Sequence, residues 1–289
     1  MNRKDYYSIG EVASMCNISI RTLRYYDEIG LVVPEIRKED SKYRYYSDSQ
    51  MLNVIIIRKL RTLGIGLKSI KKIIEQNDLD IITENVSRRV DELRKEIEEL
   101  EWTCKRVDAT LDRLRLGMDI YKKNAVSRVS EDIKIEKIPK ISIYYSRKIM
   151  QSYHNEKVSM ERWVGLEDEI AENELRVCGP IIVTYHTELL DQFFSKTCDI
   201  EFGVHIETCD SENVRTFGGF DAVTVYHVGS YSDIIKTYVK AIQWINQNNY
   251  RVNGSVSEEF IVSPIDVNDE KEHITKIIIP VEKETTKKA

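Results

Sequence analysis

The sequence predicts an α+β multidomain chain in three parts. These are an N-terminal winged helix-turn-helix, a long dimerisation helix forming a coiled coil, and a C-terminal ligand-binding domain made of a duplicated β-α-β-β unit. Three observations predict this. Two capped helical patterns and a basic-aromatic hairpin fill Ser8 to Ser47. An almost unbroken heptad fills residues 86–118. Beyond about Ser130, short strand patterns alternate with longer helical ones and recur at an offset of 75 residues. The corresponding domains are residues 1–76, 77–120 and 121–289.

Ser8 followed by Glu11 is a capping box, which starts a helix near Ile9. Ile9, Val12, Ala13 and Cys16 then share one apolar face. Asn17 breaks the run, Ser19 caps the next helix, and Ile20, Leu23 and Tyr26 continue the core. Two such helices and a tight turn form a helix-turn-helix whose second helix enters a DNA major groove. Arg21, Arg24 and Tyr25 point away from the core, toward DNA. Gly30 and Pro34 end the helical region. Lys42-Tyr43-Arg44-Tyr45-Tyr46 suits a wing strand whose Arg44 and tyrosine hydroxyls hold phosphates. Ser47 with Gln50 starts a further helix carrying Leu52, Ile55, Ile56, Lys59 and Leu60 and ending at Gly64.

Residues 1–74 contain 14 Lys+Arg and 8 Asp+Glu, a balance of +6 within a chain of net charge −5. The remainder therefore carries −11. A locally basic module on an acidic protein fits a phosphate-binding head. YYSIGEVA, RTLRYYDEIGLVVP, YRYYS and KLRTLGIGLKSIKKI, in that order from Tyr6 to Ile74, resemble the winged helix-turn-helix of the MerR (mercuric-resistance regulator) family. The resemblance implies a homodimer on double-stranded promoter DNA. It places a pseudo-palindromic operator in an over-long promoter spacer, which the activated dimer kinks and untwists for RNA polymerase. It also assigns DNA contacts to Arg21, Arg24, Tyr25, Tyr26, Arg44 and Arg61, with Ser8, Lys42, Tyr43 and Tyr45 completing the set.

Val86, Val90, Leu93, Ile97, Leu100, Cys104, Val107, Leu111, Leu114 and Met118 are spaced 4-3-4-3-4-3-4-3-4. Such a seam demands a partner helix, and no second comparable heptad exists in the chain. A homodimeric coiled coil on the order of 50 Å long follows. The family resemblance implies that its two helices run antiparallel.

Several function classes lack support. The five cysteines include no CxxC pair, and the five histidines form no metal-binding motif. Metal sensors of the resembled family place a cysteine pair just after the dimer helix, where this chain has Asp119-Ile120-Tyr121-Lys122-Lys123-Asn124. No metal or cofactor is implied, and no glycine-rich phosphate loop is present. Without a signal run or an apolar stretch of about 18 residues, the chain reads as cytoplasmic and free of membrane contact.

In the C-terminal repeat, Leu175-Arg176-Val177-Cys178-Gly179 matches Tyr250-Arg251-Val252-Asn253-Gly254, and residues 202–207 match 277–282. The first unit reads strand, helix, strand, strand over 141–146, 158–173, 180–186 and 200–207. The second covers 221–228, 231–248, 256–263 and 274–282. Two such units can share one antiparallel sheet with the helices on one side and a pseudo-twofold groove between them, a usual place for a small-molecule effector. This arrangement, with Tyr226-His227-Val228-Gly229-Ser230-Tyr231 and a late Glu259-Phe260, is similar to the gyrase-inhibitor-like (GyrI-like) effector domain. Together with the head and the long helix it resembles the multidrug-responsive branch of the MerR family.

Glu259 is the ligand carboxylate that the motif favours, set by the repeat opposite Thr184. Strand alternation instead puts Glu258 with Val256, Phe260 and Val262, so only one of the two carboxylates faces the groove. A carboxylate among Tyr144, Tyr145, Tyr185, Tyr226, Tyr231, Phe260 and Trp244 would suit a lipophilic cation. The resulting reading is a ligand-responsive activator of efflux or detoxification genes and not an enzyme. A neutral or anionic metabolite is the alternative effector. A small-molecule hydrolase, with Glu259 and a tyrosine as base and acid, lacks an obvious nucleophile or oxyanion hole.

Overall fold

A computed structural model describes residues 6–37, 43–124, 132–151, 156–194, 197–207, 209 and 211–284. The chain forms two compact units, Met1–Glu101 and Trp102–Ala289.

The first unit opens with β1 (Tyr7–Ser8), α1 (Ile9–Met15) and α2 (Ile20–Glu28). Ser8 and Glu11 make the reciprocal cap: the Glu11 backbone N–H donates to Ser8 Oγ at 3.3 Å, and the Ser8 N–H donates to the Glu11 carboxylate at 2.9 Å. Ser19 Oγ accepts from the Thr22 N–H at 2.9 Å. Asn17, at φ +50°, makes the turn between the helices. β2 (Ile36–Arg37) and β3 (Arg44–Tyr46) pair antiparallel as the wing, and β3 also pairs with β1. α3 (Asp48–Thr62) starts on the Ser47–Gln50 box and α4 (Leu67–Gln76) follows. Val12, Leu23, Tyr46, Val54, Ile57, Ile70 and Ile73 form the core. On α3 the inward stripe is Val54, Ile57 and Leu60, while Leu52, Ile55 and Ile56 are exposed.

α5 (Leu79–Lys123) is one helix of 45 residues, about 67 Å long at the usual rise. It begins two residues inside the expected 77–120 segment and runs three residues past its C-terminal end. Its seam is bare in the single chain: Leu93, Ile97, Leu100, Val107, Leu111 and Leu114 are all exposed.

The second unit contains β4 (Lys134–Lys137), β5 (Ile141–Gln151), α6 (Glu156–Glu172), β6 (Val177–Tyr185), α7 (Asp191–Phe194), β7 (Thr197–Ile206) and β8 (Val214–Phe217). β9 (Asp221–Val228), α8 (Ile234–Gln247), β10 (Tyr250–Val252), β11 (Val256–Val262) and β12 (Ile274–Lys283) complete it. The strand order is β4-β9-β12-β11-β6-β7-β5-β8, with β10 beside β12. Read from its centre, each half runs outward through its last strand and then its first, so the order itself is pseudo-twofold. The register agrees: Val183 pairs with Phe202 as Glu258 pairs with Ile277, each residue 75 positions from its counterpart. Left-handed residues also match, with Glu174 at φ +49° after α6 and Asn249 at φ +60° after α8.

Trp163 and Leu166 of α6 pack on Val183, Tyr185 and Phe260. Tyr238, Ala241 and Ile245 of α8 pack on Val223, Val256 and Ile277. Alternation therefore puts both helices on one face of the sheet, as the repeat predicts. β4, β8, β10 and α7 are additions to the four-element unit. Three of these are strands of three or four residues and the fourth is a single helical turn, too short for any periodic signal.

Candidate functional site

The head presents its basic surface on α2 and the wing. Arg21, Arg24 and Tyr25 are exposed on α2, and Tyr43 is exposed just before the wing strand. Tyr45 is half-buried. Lys42 lies outside the described residues. Tyr26, to which the resemblance assigns a DNA contact, packs in the core of the head, where burial pushes its hydroxyl above the ordinary tyrosine value. The Ser8 hydroxyl is committed to the α1 cap. Arg44 Nε donates to Asp27 Oδ2 at 2.7 Å, and Arg37 pairs with the other oxygen of that carboxylate. Asp27 is buried on α2, so this pair fixes the wing against the second helix. Arg61 is exposed and donates to the Ile65 carbonyl at 3.1 Å. Arg58 closes the end of α1 by donating to the Cys16 carbonyl at 2.6 Å. Nothing local in the sequence marked Asp27, Arg37 or Arg58, because each acts across a loop or between helices.

The second site lies where the halves of the sheet meet. Glu258 is fully buried there. Its carboxylate accepts the Tyr185 hydroxyl at 3.0 Å and the Tyr238 hydroxyl at 2.8 Å. One donor comes from β6 in the first half and the other from α8 in the second. Phe260 stands next along the same face, edge-on to Trp163 at 5.0 Å and to Tyr231 at 5.8 Å. Tyr231 stacks on His273 at 5.5 Å. Burial, with the Glu258 charge adding to it, pushes the Tyr231 hydroxyl far above its ordinary value. Trp163 and Phe260 also line a cleft of 350 Å³.

The turn before α8 sets Tyr231 in place. Gly229, at φ +115°, lets the chain leave β9 while its N–H donates to the His273 carbonyl at 2.9 Å. His227 reaches Thr237 Oγ1 at 2.9 Å and the Ser230 carbonyl at 3.0 Å. Burial lowers the His227 imidazole below its usual value, which favours the neutral ring.

Three sequence-predicted residues fall on the opposite face of the sheet. Glu259 pairs in register with Ile182 on one side and Lys276 on the other. Thr184, set opposite it by the repeat, pairs with Ser257 instead, their hydroxyls 2.9 Å apart. Burial raises the Glu259 carboxyl above its ordinary value; Lys276 opposes this and Glu136 adds to it. Tyr226 shares that face, and the Tyr145 ring lies 5.7 Å from the Arg215 guanidinium. The physical reason is parity: neighbouring strand residues point to opposite faces, and the inward set is Val256, Glu258 and Phe260. Tyr185, Tyr231 and Phe260 do meet at the seam. Tyr144 is buried in the first half's core, and Trp244 stacks on Tyr250 at 6.4 Å. Tyr238 and Trp163 were not singled out from the sequence. The 75-residue offset relates them to each other, and that was the available signal.

Among the described residues, no group of three or more His, Cys, Asp or Glu side chains could hold a metal ion. No helix among them is long and apolar enough to cross a membrane.

Comparison with known proteins matches residues 7–77 to the MerR HTH family regulatory protein and residues 131–282 to the GyrI-like small molecule binding domain. The multidrug-efflux transporter 2 regulator of Bacillus subtilis is 28% identical over 284 residues, covering 96% of this chain and 97% of that one. The multidrug-efflux transporter 1 regulator of the same organism is 36% identical over 113 residues, covering 38% of this chain and 41% of that regulator. Among solved structures, the EcmrR–DNA complex is 26% identical with a TM-score of 0.47, covering 96% of this chain and 100% of that one. The chain belongs to the family of the GyrI-like small molecule binding domain, which follows in sequence a head that matches the MerR HTH family regulatory protein.

Proposed function

We propose that the protein is a homodimeric transcription activator that answers a lipophilic cation bound at the Glu258 seam. The observation that carries the reading is Glu258 itself, a fully buried carboxylate set among Tyr185, Tyr238, Tyr231 and Phe260. A cation there gains Coulomb attraction at low local dielectric and cation–π contact with the rings. Two relatives, named as regulators of multidrug-efflux transporters, support an efflux gene as the target. The effector acts by preferring one of two DNA-bound states of the dimer, the one whose promoter RNA polymerase can use. The domain binds its effector without turning it over, so incubation with ligand leaves the ligand intact.

In vitro transcription from the protein's own promoter, with and without tetraphenylphosphonium, tests this. Output rises with the cation in the wild type and much less in Glu258→Gln. Equal output across a broad panel of lipophilic cations overturns the cationic reading and leaves a neutral or anionic metabolite as the effector.

A further inference from the structure

From Trp102 onward α5 has two working faces. Cys104, Val107, Leu111, Leu114 and Met118 continue the heptad seam. A neighbouring face is held by the sensor fold. Trp102 lies 5.5 Å from the Arg176 guanidinium. Ile120 packs with Val228, Ile261, Val262 and Ile274. Gly117 allows a close approach: a Cβ there would stand 2.5 Å from Val262 Cγ2.

Between these apolar contacts sits one directional clasp. Arg113 Nη1 donates to the Ile261 carbonyl at 2.7 Å and to Asp266 Oδ2 at 2.8 Å, and Nη2 donates to Asp266 Oδ1 at 2.7 Å. Asp266 Oδ2 also accepts from the Ser263 N–H at 2.9 Å and the Ser263 hydroxyl at 2.7 Å. The two charged side chains are only 19% and 15% exposed, so water competes weakly for them.

The strand held this way is β11, which carries Glu258 and Phe260. Its register with β12 shifts between Phe260 and Val262, leaving Ile261 outside the paired residues. A bulge re-aims the strand locally, and here the Ile261 carbonyl meets Arg113. The carbonyl gripped by α5 therefore lies only three positions along the strand from the seam carboxylate. Apolar contacts tolerate sliding by a few tenths of an ångström. A bidentate ion pair with an added carbonyl bond loses strength quickly when distance or angle changes.

The geometry points to Arg113, clasped to Asp266 and the Ile261 carbonyl, as the positioning residue through which the state of the Glu258 seam reaches helix α5. This rests on the seam being the effector site. An effector that displaces Glu258 or Phe260 moves β11, and the clasp passes that movement to α5 as a change in its hydrogen bonds.

The test uses the full chain and two readouts. The first needs no ligand: amide hydrogen exchange of residues 102–123 in the wild type, Glu258→Gln, Arg113→Met and the double variant. Glu258→Gln changes exchange there at least threefold when Arg113 is present and leaves it unchanged in the Arg113→Met background. The second is transcription with and without tetraphenylphosphonium. Arg113→Met keeps affinity for the cation and for promoter DNA within about threefold while the ligand-dependent rise disappears, and Arg113→Lys retains part of it. Additive exchange effects, or a full transcriptional response in Arg113→Met, overturn the coupling role. A wild type that ignores the cation but shows non-additive exchange overturns the effector class and leaves the clasp standing. If Arg113→Met does not fold, Asp266→Asn carries the same comparison with the same expected and overturning results.

Discussion

Val183 and Glu258 face each other across the β6–β11 ladder and are also equivalent positions of the two repeats, 75 residues apart. The pseudo-twofold axis of the sheet therefore passes between them. Duplication built a symmetric seam, and on the inward face of these two strands one position departs from its counterpart in kind: the first half keeps valine where the second places a carboxylate. Around that position the repeats stay related in shape, with Tyr185 equivalent to Phe260 and Trp163 to Tyr238. A charge at the centre of an otherwise symmetric apolar junction costs folding free energy, which is reasonable only where a ligand or a network offsets it.

Glu258 and Glu259 can be separated by charge removal. Glu258→Gln is expected to weaken tetraphenylphosphonium binding at least tenfold, equal to about 1.4 kcal/mol. Glu259→Gln, on the other face, is expected to change it less than twofold. Calorimetric titration of both variants checks this, and the reverse ranking would restore Glu259 as the ligand carboxylate.

Much of this organisation was legible because its causes are local or periodic. Ser8 with Glu11, and Ser47 with Gln50, announce helix starts within four residues. The heptad and the 75-residue offset announce themselves by repetition. The choice between adjacent side chains was not legible in the same way. Glu258 and Glu259 differ only in parity, and a motif match does not state which neighbour points inward. Tyr25 and Tyr26 posed the same problem on a helix, where one ring is exposed and the next is buried. Tyr238 was missed because an aromatic at helical spacing resembles ordinary core until its hydroxyl is seen to reach a strand.

On the head, exposed and tethered arginines should respond differently. Arg24→Ala is expected to leave the melting temperature unchanged, weaken promoter binding across sequences, and lower the slope of log affinity against log salt by about one. Filter binding across a salt series measures this. An unchanged slope would remove Arg24 from the phosphate contacts.

Asp27→Asn should lose both stability and binding. It takes the charge from a buried carboxylate that ties Arg37 and Arg44 to α2. A cost of about 1–3 kcal/mol is expected in urea unfolding. The loosened wing should also weaken promoter binding. Retained stability would mean that the wing is anchored by other contacts.

The bare seam of α5 predicts dimerisation through that surface. Leu100 is 65% exposed in the single chain. Leu100→Asp places a charge where a partner helix would bury a leucine, and an unpaired buried charge is too costly to keep. Sedimentation equilibrium should show a dimer for the wild type and monomer for the variant at the same concentration. A variant that remains dimeric would place the interface elsewhere.

The Glu259 carboxyl predicts a pH dependence of stability with a definite sign. Burial raises its folded value above the ordinary 4.5. On acidification the native state then takes up this proton before the unfolded chain does. Between the unfolded value and the raised folded one, the native state binds more protons, so this group's contribution to stability falls as pH rises through that window. Below the window both states are protonated, and the contribution is at its most favourable. Glu259→Gln removes the titration. The variant should melt at a higher temperature than the wild type at pH 7, and the difference should vanish near pH 4. Thermal melts across that range decide it. A variant less stable than wild type at pH 7 would show instead that the Lys276 attraction outweighs the cost of burying the charge.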